Sequence, residues 1–257
     1  IPLRLVGSEM CIRDSGSGAK KLTDWDRGAS GLQWRTDGRA LLVSAADEGQ
    51  QRLFSVDARS GQVTPLTGKG TVGGYEEVAG VLAYAHESYV APTQIFIRTA
   101  GEPRQITHHN AELVARLQLP AAEAYSFAGW NGEQVQGWVF KPVGAVEGRR
   151  YPAVYIIHGG PKSPWTENWS YRWNPQIYTS AGYAVVMVNF HGSPGYGQAF
   201  TDAINDHWGD RPLEDLQKGW EAALADNPWI DGERACATGA SYGCLLYTSD
   251  AADDTPC

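Results

Sequence analysis

Residues 234–243 read Arg-Ala-Cys-Ala-Thr-Gly-Ala-Ser-Tyr-Gly, and this stretch indicates how the second half of the chain folds. Its first five residues form a short β-type run, and the last five fit the pattern G-x-S-x-G. That pattern predicts Ser241 on a sharp strand-to-helix turn, where Gly239 and Gly243 leave room for the crowded backbone. A chain with 30 glycines also matches such patterns by chance, so on this pattern alone a glycine-rich loop with an incidental serine stays an alternative.

A second glycine motif, His158-Gly159-Gly160-Pro161, directly follows the apolar run Ala153–Ile157. The tetrahedral intermediate of acyl transfer needs two preorganised N–H donors for its developing negative charge. In α/β-hydrolases one donor is the residue after the nucleophile, here Tyr242, and the other comes from a glycine loop, here Gly160. We predict that His158 and Gly159 support this loop. His158 is not the predicted base, because the base of this fold follows the nucleophile in the chain.

The segments around these motifs alternate between strand and helix patterns. Ala153–Ile157 and Tyr183–Val188 are continuous apolar runs, typical of parallel strands that are covered on both faces. Pro212–Asp226 has an early proline, early acidic residues and apolar residues at helical spacing, so it is predicted to be a helix. Strand, helix and strand in this order predict a doubly wound α/β sheet.

A third glycine-containing motif spans Asn189–Gly197 and reads Asn-Phe-His-Gly-Ser-Pro-Gly-Tyr-Gly. It follows a predicted buried strand, so it is expected at the carboxyl edge of the sheet, where ligands bind. Simple turn geometry and a substrate-lining role both explain its glycines, and the sequence does not separate them.

Residues 16–115 carry a repeat of short β-type runs, in which Gly38 matches Gly80 and Leu53 matches Ile95 at the same offset of 42 residues. A period of about 40–45 residues with four strands is typical of a β-propeller blade. We therefore predict about two blades, with a β-sandwich as the alternative. In the first unit the predicted strands lie near Leu32–Arg35, Ala40–Ser44, Arg52–Val56 and Gln62–Leu66. Further along, Asn131-Gly132 predicts a hairpin between Glu123–Ala128 and Val135–Phe140.

Both ends of the chain resemble translated sequencing adapters. Residues 1–15 contain LVGSEMCIRDS, and residues 244–257 contain CLLYTSDAADD. Codons for Met10–Asp14 can be chosen so that their reverse complement encodes Cys244–Thr248. Inverted adapters around a library insert explain this relation, whereas two ends of one protein have no biological reason for it. We therefore expect residues 16–243 to be native and the natural termini to be missing, so the compartment is not predicted.

The composition of the chain argues against several classes of binding partner. The net charge is −8 with both signs interspersed, which argues against a nucleic-acid partner. The longest apolar run, Ala184–Val188, is too short to cross a bilayer. The four cysteines have neither metal-ligand spacing nor the density of a disulfide framework, and Cys236 is predicted to be a small buried residue. We expect no metal, no cofactor and no membrane partner.

Taken together, these motifs resemble a known family. His158–Pro161, Asn189–Phe200, Asp206–Gly219 and Gly239–Gly243, in this order, are similar to the catalytic domain of serine peptidases of the prolyl oligopeptidase family. Within it they look most like the acylaminoacyl peptidase and dipeptidyl peptidase V branch. The resemblance is tight over residues 151–243 and loose over the repeat region.

Two positions depart from the family pattern. His191 stands where many relatives carry arginine, a change that the dipeptidyl peptidase V-like branch tolerates. Cys244 stands where the family has glycine, at the start of the predicted artefact.

The resemblance implies the C-terminal blades of a β-propeller over residues 16–115, followed by the N-terminal half of an α/β-hydrolase domain over residues 116–243. It implies a serine peptidase that acts on short peptides through an acyl-enzyme on Ser241, with an aspartate and a histidine as triad partners after the serine. No histidine follows Ser241, and we assign no role to the aspartates of residues 244–257, so we expect the given chain to be inactive. An esterase or lipase of the same fold and a non-catalytic propeller interaction protein remain alternatives. Oligomeric state and residue preference are not predicted.

Overall fold

The computed structural model describes the backbone of residues 10–11 and 20–251 and the side chains of residues 21–248. Met10–Cys11 (β1) and Lys20–Lys21 (β2) pair as a two-stranded antiparallel ladder. The rest of the predicted artefact at residues 1–15 lies outside the described residues, as does its counterpart from residue 252 onward.

The first half of the described chain forms an eight-stranded sheet. Its strands are β3 Ala29–Trp34, β4 Ala40–Asp47, β5 Gln50–Asp57, β6 Val63–Pro65, β7 Thr71–Val78, β8 Val81–Ser88, β9 Ala91–Arg98 and β10 Arg104–Gln105. Strands β3 to β6 form one antiparallel meander, and β7 to β10 form a second with the same order. A parallel bridge between Gln51 and Thr71 joins the two meanders.

The offset of 42 residues seen in the sequence reappears in the structure. Gly38 and Gly80 occupy the first turn of each meander with φ of 66° and 78°, a left-handed conformation that glycine adopts without steric cost. Leu53 and Ile95 lie on the third strand of each meander. The four strands predicted for the first unit are present, with ends that differ by a few residues, as expected for fraying strand termini.

Side chains also join the two meanders. Arg35 Nε donates to Glu77 Oε2 at 2.8 Å, and Gln33 Nε2 donates to the Tyr75 carbonyl at 3.1 Å. The Glu77 side chain is buried, so this ion pair is screened less than an exposed one. Beneath these contacts lies a shared apolar cluster of Leu42, Leu53, Val72, Leu82 and Tyr84.

A short helix, α1 Ala111–Arg116, leads from the first sheet to a hairpin that belongs to the second sheet. The hairpin strands are β11 Glu123–Ala128 and β12 Gln134–Phe140, as the sequence predicts. Their turn contains Trp130–Gly132, in which Asn131 and Gly132 have non-helical, left-handed φ of 55° and 73°. Asparagine and glycine tolerate this left-handed conformation better than other residues, so the pair fixes the turn.

The second sheet adds three parallel strands to this hairpin: β13 Tyr151–Ile157, β14 Ala184–Asn189 and β15 Ile230–Gly239. The strand order is β11-β12-β14-β13-β15, and β13 is parallel to both of its neighbours. Parallel strands end at the same edge of a sheet. The three glycine motifs follow β13, β14 and β15 directly, so the fold brings them to one edge.

Four helices accompany this sheet: α2 Pro175–Ser180, α3 Gln198–Asp202, α4 Arg211–Asp226 and α5 Tyr242–Ala251. Helix α4 covers the predicted Pro212–Asp226 helix, and its inner face packs into a core cluster with strands β12 to β14. Asn174 caps α2 by accepting a hydrogen bond from the Gln176 amide. None of the helices of the described chain combines the length and apolar character needed to cross a membrane.

Cys236 is exposed, and its predicted burial is wrong. It lies on β15, which is an edge strand of the second sheet in the described chain and pairs with β13 on one side. An apolar run indicates a strand, but its burial depends on neighbours that cover the strand.

Candidate active site

Ser241 lies on the turn between β15, which ends at Gly239, and α5, which begins at Tyr242. Its φ is 56°, in the left-handed region that residues with a side chain rarely adopt. The side chain is exposed at the carboxyl edge of the sheet. A strained serine between a strand and a helix is the geometry of a nucleophile elbow, in which the turn holds the hydroxyl clear of the backbone.

The two flanking glycines allow this turn to pack against the end of β13. A Cβ atom on Gly239 would lie 2.6 Å from the carbonyl oxygen of Ile157, and one on Gly243 would lie 2.3 Å from the same oxygen. Neither distance is compatible with a side chain, because the obstacle is backbone. The glycines at the first and last positions of G-x-S-x-G are therefore required by the close approach of the turn to the backbone of Ile157.

The predicted oxyanion loop also lies against the elbow. A Cβ atom on Gly159 would lie 2.5 Å from the carbonyl oxygen of Ala240 and 3.3 Å from the Cβ atom of Ser241. The next residue, Gly160, has φ of 60° and is exposed. The structure thus brings together the two motifs that the sequence separates by about 80 residues.

Tyr242 is the first residue of α5, so its backbone N–H is one of those that a helix leaves without an intrahelical acceptor. The positive end of the helix dipole points the same way. Its side chain is buried and donates its hydroxyl to the Trp208 carbonyl, which anchors the start of the helix. Burial raises the pKa of this hydroxyl. The assignment of Tyr242 and Gly160 as oxyanion donors stays a prediction.

The substitution Gly159→Ala is expected to lower the free energy of unfolding by about 1–3 kcal/mol, because the new methyl group would overlap the Ala240 carbonyl. Gly209→Ala is the matched control: a Cβ atom added there would have no other atom within 4 Å, so its effect should be small. Urea denaturation of both variants measures the difference. Equal midpoints for the two variants would contradict the close contact between loop and elbow.

His158 is buried beside the elbow, and its surroundings fit a supporting role. Its Nδ1 lies 3.3 Å from the Gly159 carbonyl, its Nε2 lies 3.1 Å from Ser193 Oγ, and its ring stacks on Phe190 at 3.9 Å between centroids. A carbonyl only accepts, so Nδ1 carries the proton and Nε2 accepts from Ser193. Burial lowers the pKa of His158 to about 3, which keeps the ring neutral. These contacts agree with the prediction that His158 anchors the loop, which remains a prediction.

The third motif contributes a buried ion pair. His191 and Asp215 are both fully buried, and Asp215 Oδ2 accepts from the backbone N–H and from Nδ1 of His191, each at 2.6 Å. Asp215 Oδ1 accepts from the Trp130 amide at 2.7 Å, and Glu133 Oε2 lies 3.3 Å from His191 Nε2. Burial by itself lowers the pKa of His191, but the hydrogen bond and charge of Asp215, aided by Glu133, outweigh it and raise that pKa. The pair ties α4 and the β11–β12 turn to the end of β14.

Sequence reasoning missed Asp215, although a signal for it exists. On α4 it precedes Leu216 and stands one turn before Gly219, which places it on the inner face of the helix. An aspartate on an apolar helix face indicates a buried partner, since charged side chains are almost never fully buried unless paired.

The described chain supplies no base for Ser241. All six histidines precede it in the sequence, at positions His86, His108, His109, His158, His191 and His207. Within residues 21–248 the structure has no side chain hydrogen-bonded to the Ser241 hydroxyl. The same residues contain no group of three or more His, Cys, Asp or Glu side chains arranged to hold a metal ion.

Comparisons with known proteins agree with these motifs. Residues 169–255 match the sequence model of the prolyl oligopeptidase family. The chain is 34% identical over 232 residues to a probable dipeptidyl-peptidase 5 of Aspergillus clavatus, covering 86% of this chain and 31% of that protein. It is 32% identical over 245 residues to dipeptidyl-peptidase 5 of Schizosaccharomyces pombe, covering 92% and 35%. The chain belongs to the prolyl oligopeptidase family.

Solved structures point to the same family. An acylaminoacyl peptidase, solved in complex with Z-Gly-Gly-Phe-chloromethyl ketone, superposes with a TM-score of 0.82 at 28% identity, covering 93% of this chain and 38% of that one. The neighbours are prolyl oligopeptidase family proteins, and the second sheet is consistent with part of their hydrolase domain. The chain spans about a third of the length of the curated relatives that it matches.

Proposed function

We propose that this chain is the nucleophile-bearing part of a serine peptidase that cleaves short peptides through an acyl-enzyme on Ser241. The observation that carries the proposal is the exposed, left-handed Ser241 at a strand-to-helix turn that packs directly against the His158–Gly160 loop. This is the geometry that acyl transfer needs, because the attacking oxygen and the oxyanion donors must converge on one carbonyl group.

In the proposed reaction, Ser241 Oγ forms a bond to the scissile carbonyl carbon and passes its proton to a histidine base. The N–H groups of Tyr242 and Gly160 stabilise the oxyanion. The C–N bond then breaks, and the base gives its proton to the leaving amine. Water next attacks the acyl-enzyme, one water proton returns through the base to Ser241 Oγ, and the acid product leaves. The base and the aspartate that orients it are not among the residues before Ser241, where the fold order excludes them.

The proposal extends to the arrangement of the chain. The two meanders are the last blades of a β-propeller over residues 16–115, and residues 116–243 are the first half of an α/β-hydrolase domain. The repeated four-strand order supports the first assignment, and the parallel strand order with its carboxyl-edge motifs supports the second. A propeller above the sheet would restrict entry to small or unfolded peptides. Residues 1–15 and 244–257 stay assigned to adapters, and sequencing of the source DNA tests that assignment.

The names of the relatives suggest the substrate class. Proteins called dipeptidyl-peptidase 5 and acylaminoacyl peptidase act, by their names, at the amino end of peptides. We therefore propose that the substrates are short peptides cleaved near their amino ends.

Turnover by the protein of the complete natural reading frame that contains residues 16–243 tests the function. Dipeptidyl and N-acyl-aminoacyl p-nitroanilides are the substrates, and p-nitrophenyl butyrate is the ester control. We expect amide hydrolysis; hydrolysis of the ester alone would contradict the peptidase assignment. The 257-residue chain by itself is expected to leave the same amides intact, because it holds no histidine after Ser241. Amide turnover by that purified chain would contradict the proposed mechanism.

A further inference from the structure

The loop that carries Gly159 and Gly160 runs through residues 158–174 without helix or strand. A loop of this length lacks the regular backbone hydrogen bonds of a helix or a sheet, so contacts with surrounding residues must hold it in position. Oxyanion donors act only when they are held close to their productive position. The contacts that hold this loop are therefore of functional interest.

Asn189 provides one such contact. It is the last residue of β14 and is fully buried. Its Oδ1 accepts from the Trp165 amide at 2.6 Å, and its Nδ2 donates to the Trp165 carbonyl at 3.0 Å. The side chain thus pairs with both backbone groups of one loop residue, as a neighbouring strand would. Nδ2 also lies within 3.0 Å of Gln136 Oε1 and within 2.8 Å of the Tyr196 hydroxyl, which orients the amide.

Two further contacts come from the residues that follow Asn189. Ser193 is fully buried, and its hydroxyl lies 3.1 Å from His158 Nε2, at the start of the loop. The backbone of Gly192 lies so close to the loop that an added Cβ atom would be 2.9 Å from the Pro161 carbonyl oxygen. We call Asn189–Ser193 the support segment. It contacts the loop on both sides of the Gly159–Gly160 pair.

We propose that Asn189 and Ser193 are positioning residues that hold the oxyanion loop in its reactive place. This inference rests on the proposed function and assigns the support segment a role in it. The backbone of Asn189 already pairs with Gln136 in the β12–β14 ladder, so its side chain is not needed to build the sheet. That side chain instead pairs with the backbone of Trp165. Its loss would leave the Trp165 amide without this acceptor, and the Trp165 carbonyl would keep the Trp138 Nε1 donor at 3.3 Å.

The first test is steady-state kinetics of the complete reading frame with the substituted residues. Asn189→Ala is expected to lower kcat by about 10²-fold, the loss typical of a misplaced reacting group, with a much smaller change in KM. Ser193→Ala removes a single oxygen atom and is expected to lower kcat in the same direction by about tenfold, since His158 loses its donor. It serves as the second variant if Asn189→Ala folds poorly.

The matched control is Asn174→Ala. Asn174 is also a buried asparagine, but it caps α2 at the far end of the same loop and contacts Gln176. Its loss should cost stability and leave kcat close to that of the parent. If kcat is unchanged in both support-segment variants, or falls equally in the control, Asn189 and Ser193 are merely structural and the proposal is overturned.

Amide hydrogen exchange of the 257-residue chain separates this proposal from the proposed function. In Asn189→Ala the amides of Gly159, Gly160, Lys162, Ser163 and Trp165 are expected to exchange about tenfold faster, while those of β13 stay unchanged. If the complete reading frame turns over no amide, the proposed function fails and exchange alone decides the positioning role. Exchange at residues 159–165 that matches the parent would then overturn it.

Discussion

Ser241→Ala in the complete reading frame is expected to lower kcat for peptide amides by about 10⁶-fold, because the acyl-enzyme cannot form without its oxygen. Removing any one member of a catalytic triad leaves only the contribution of the oxyanion donors and of substrate binding. Chromogenic amide hydrolysis measures the loss. Labelling by a fluorophosphonate probe should disappear with it, since the probe reacts with the same oxygen.

The matched control for this prediction is Ser180→Ala. Ser180 is an exposed serine at the end of α2 whose hydroxyl donates to the Ile177 carbonyl. Its loss should leave both turnover and labelling unchanged. Amide turnover that survives Ser241→Ala would remove the basis of the proposed function.

Ser241→Gly is informative about strain. Since φ at this position is 56°, glycine should adopt the turn at lower cost, and the free energy of unfolding should rise by about 1 kcal/mol relative to Ser241→Ala. Both variants should be inactive. A more stable but inactive glycine variant would indicate that the fold gives up stability to present the nucleophile.

His191→Ala is expected to lower the free energy of unfolding by about 3–5 kcal/mol, the cost typical of removing one partner from a buried ion pair. Asp215 would keep its hydrogen bonds from the Trp130 amide and from the backbone N–H of residue 191, but it would lose the only positive side chain that the structure places against it among the described residues. Chemical denaturation of the 257-residue chain at about pH 6, below the ordinary pKa of histidine, measures the loss. A stability close to that of the parent would mean that the pair contributes little.

The same pair predicts a pH dependence with a defined sign. Burial lowers the pKa of His191, but Asp215 and Glu133 outweigh it and raise that pKa above its ordinary value of about 6.5. The folded state therefore holds this proton more tightly than the unfolded state. The contribution of the protonated His191 to the free energy of unfolding is complete below about pH 6.5. It is lost as the pH rises through the raised pKa of His191 in the folded state.

His191→Arg is the matched control for this pH dependence. Arginine keeps a positive charge at every pH in the experiment. Its stability should show no loss across the pH window in which the parent loses stability. A parent whose stability does not fall with rising pH, or an arginine variant that falls with it, would contradict the titration of His191.

Much of the fold could be predicted from local patterns. The repeat offset of 42 residues gave the strands of the two meanders, Asn131-Gly132 gave the hairpin turn, and Pro212 marked the first turn of α4. These features depend on residues close together in sequence, where turn chemistry and periodicity act directly. The strand-to-helix turn at Ser241 could be predicted for the same reason, because its two glycines and its strand are its neighbours in the chain.

Burial and partners could not be predicted in this way. Cys236 looked like a core residue and is exposed, because an edge strand lacks a neighbour on one side. Asp215 looked like an acidic residue of the first helical turn and is fully buried against His191. Both outcomes depend on which strand or helix lies beside the residue, and a local pattern carries no information about that.

By itself, the sequence determined the order of the elements, the strand-to-helix turn at Ser241 and the family of the chain, because short-range sterics and motif spacing specify them. Only the tertiary structure decided that the His158–Gly160 loop lies against the elbow, that the third motif supports this loop, and that Asp215 pairs with His191. These contacts join residues that are far apart in the chain. They arise because three parallel strands end at one edge of a sheet, and that edge exists only after the chain has folded.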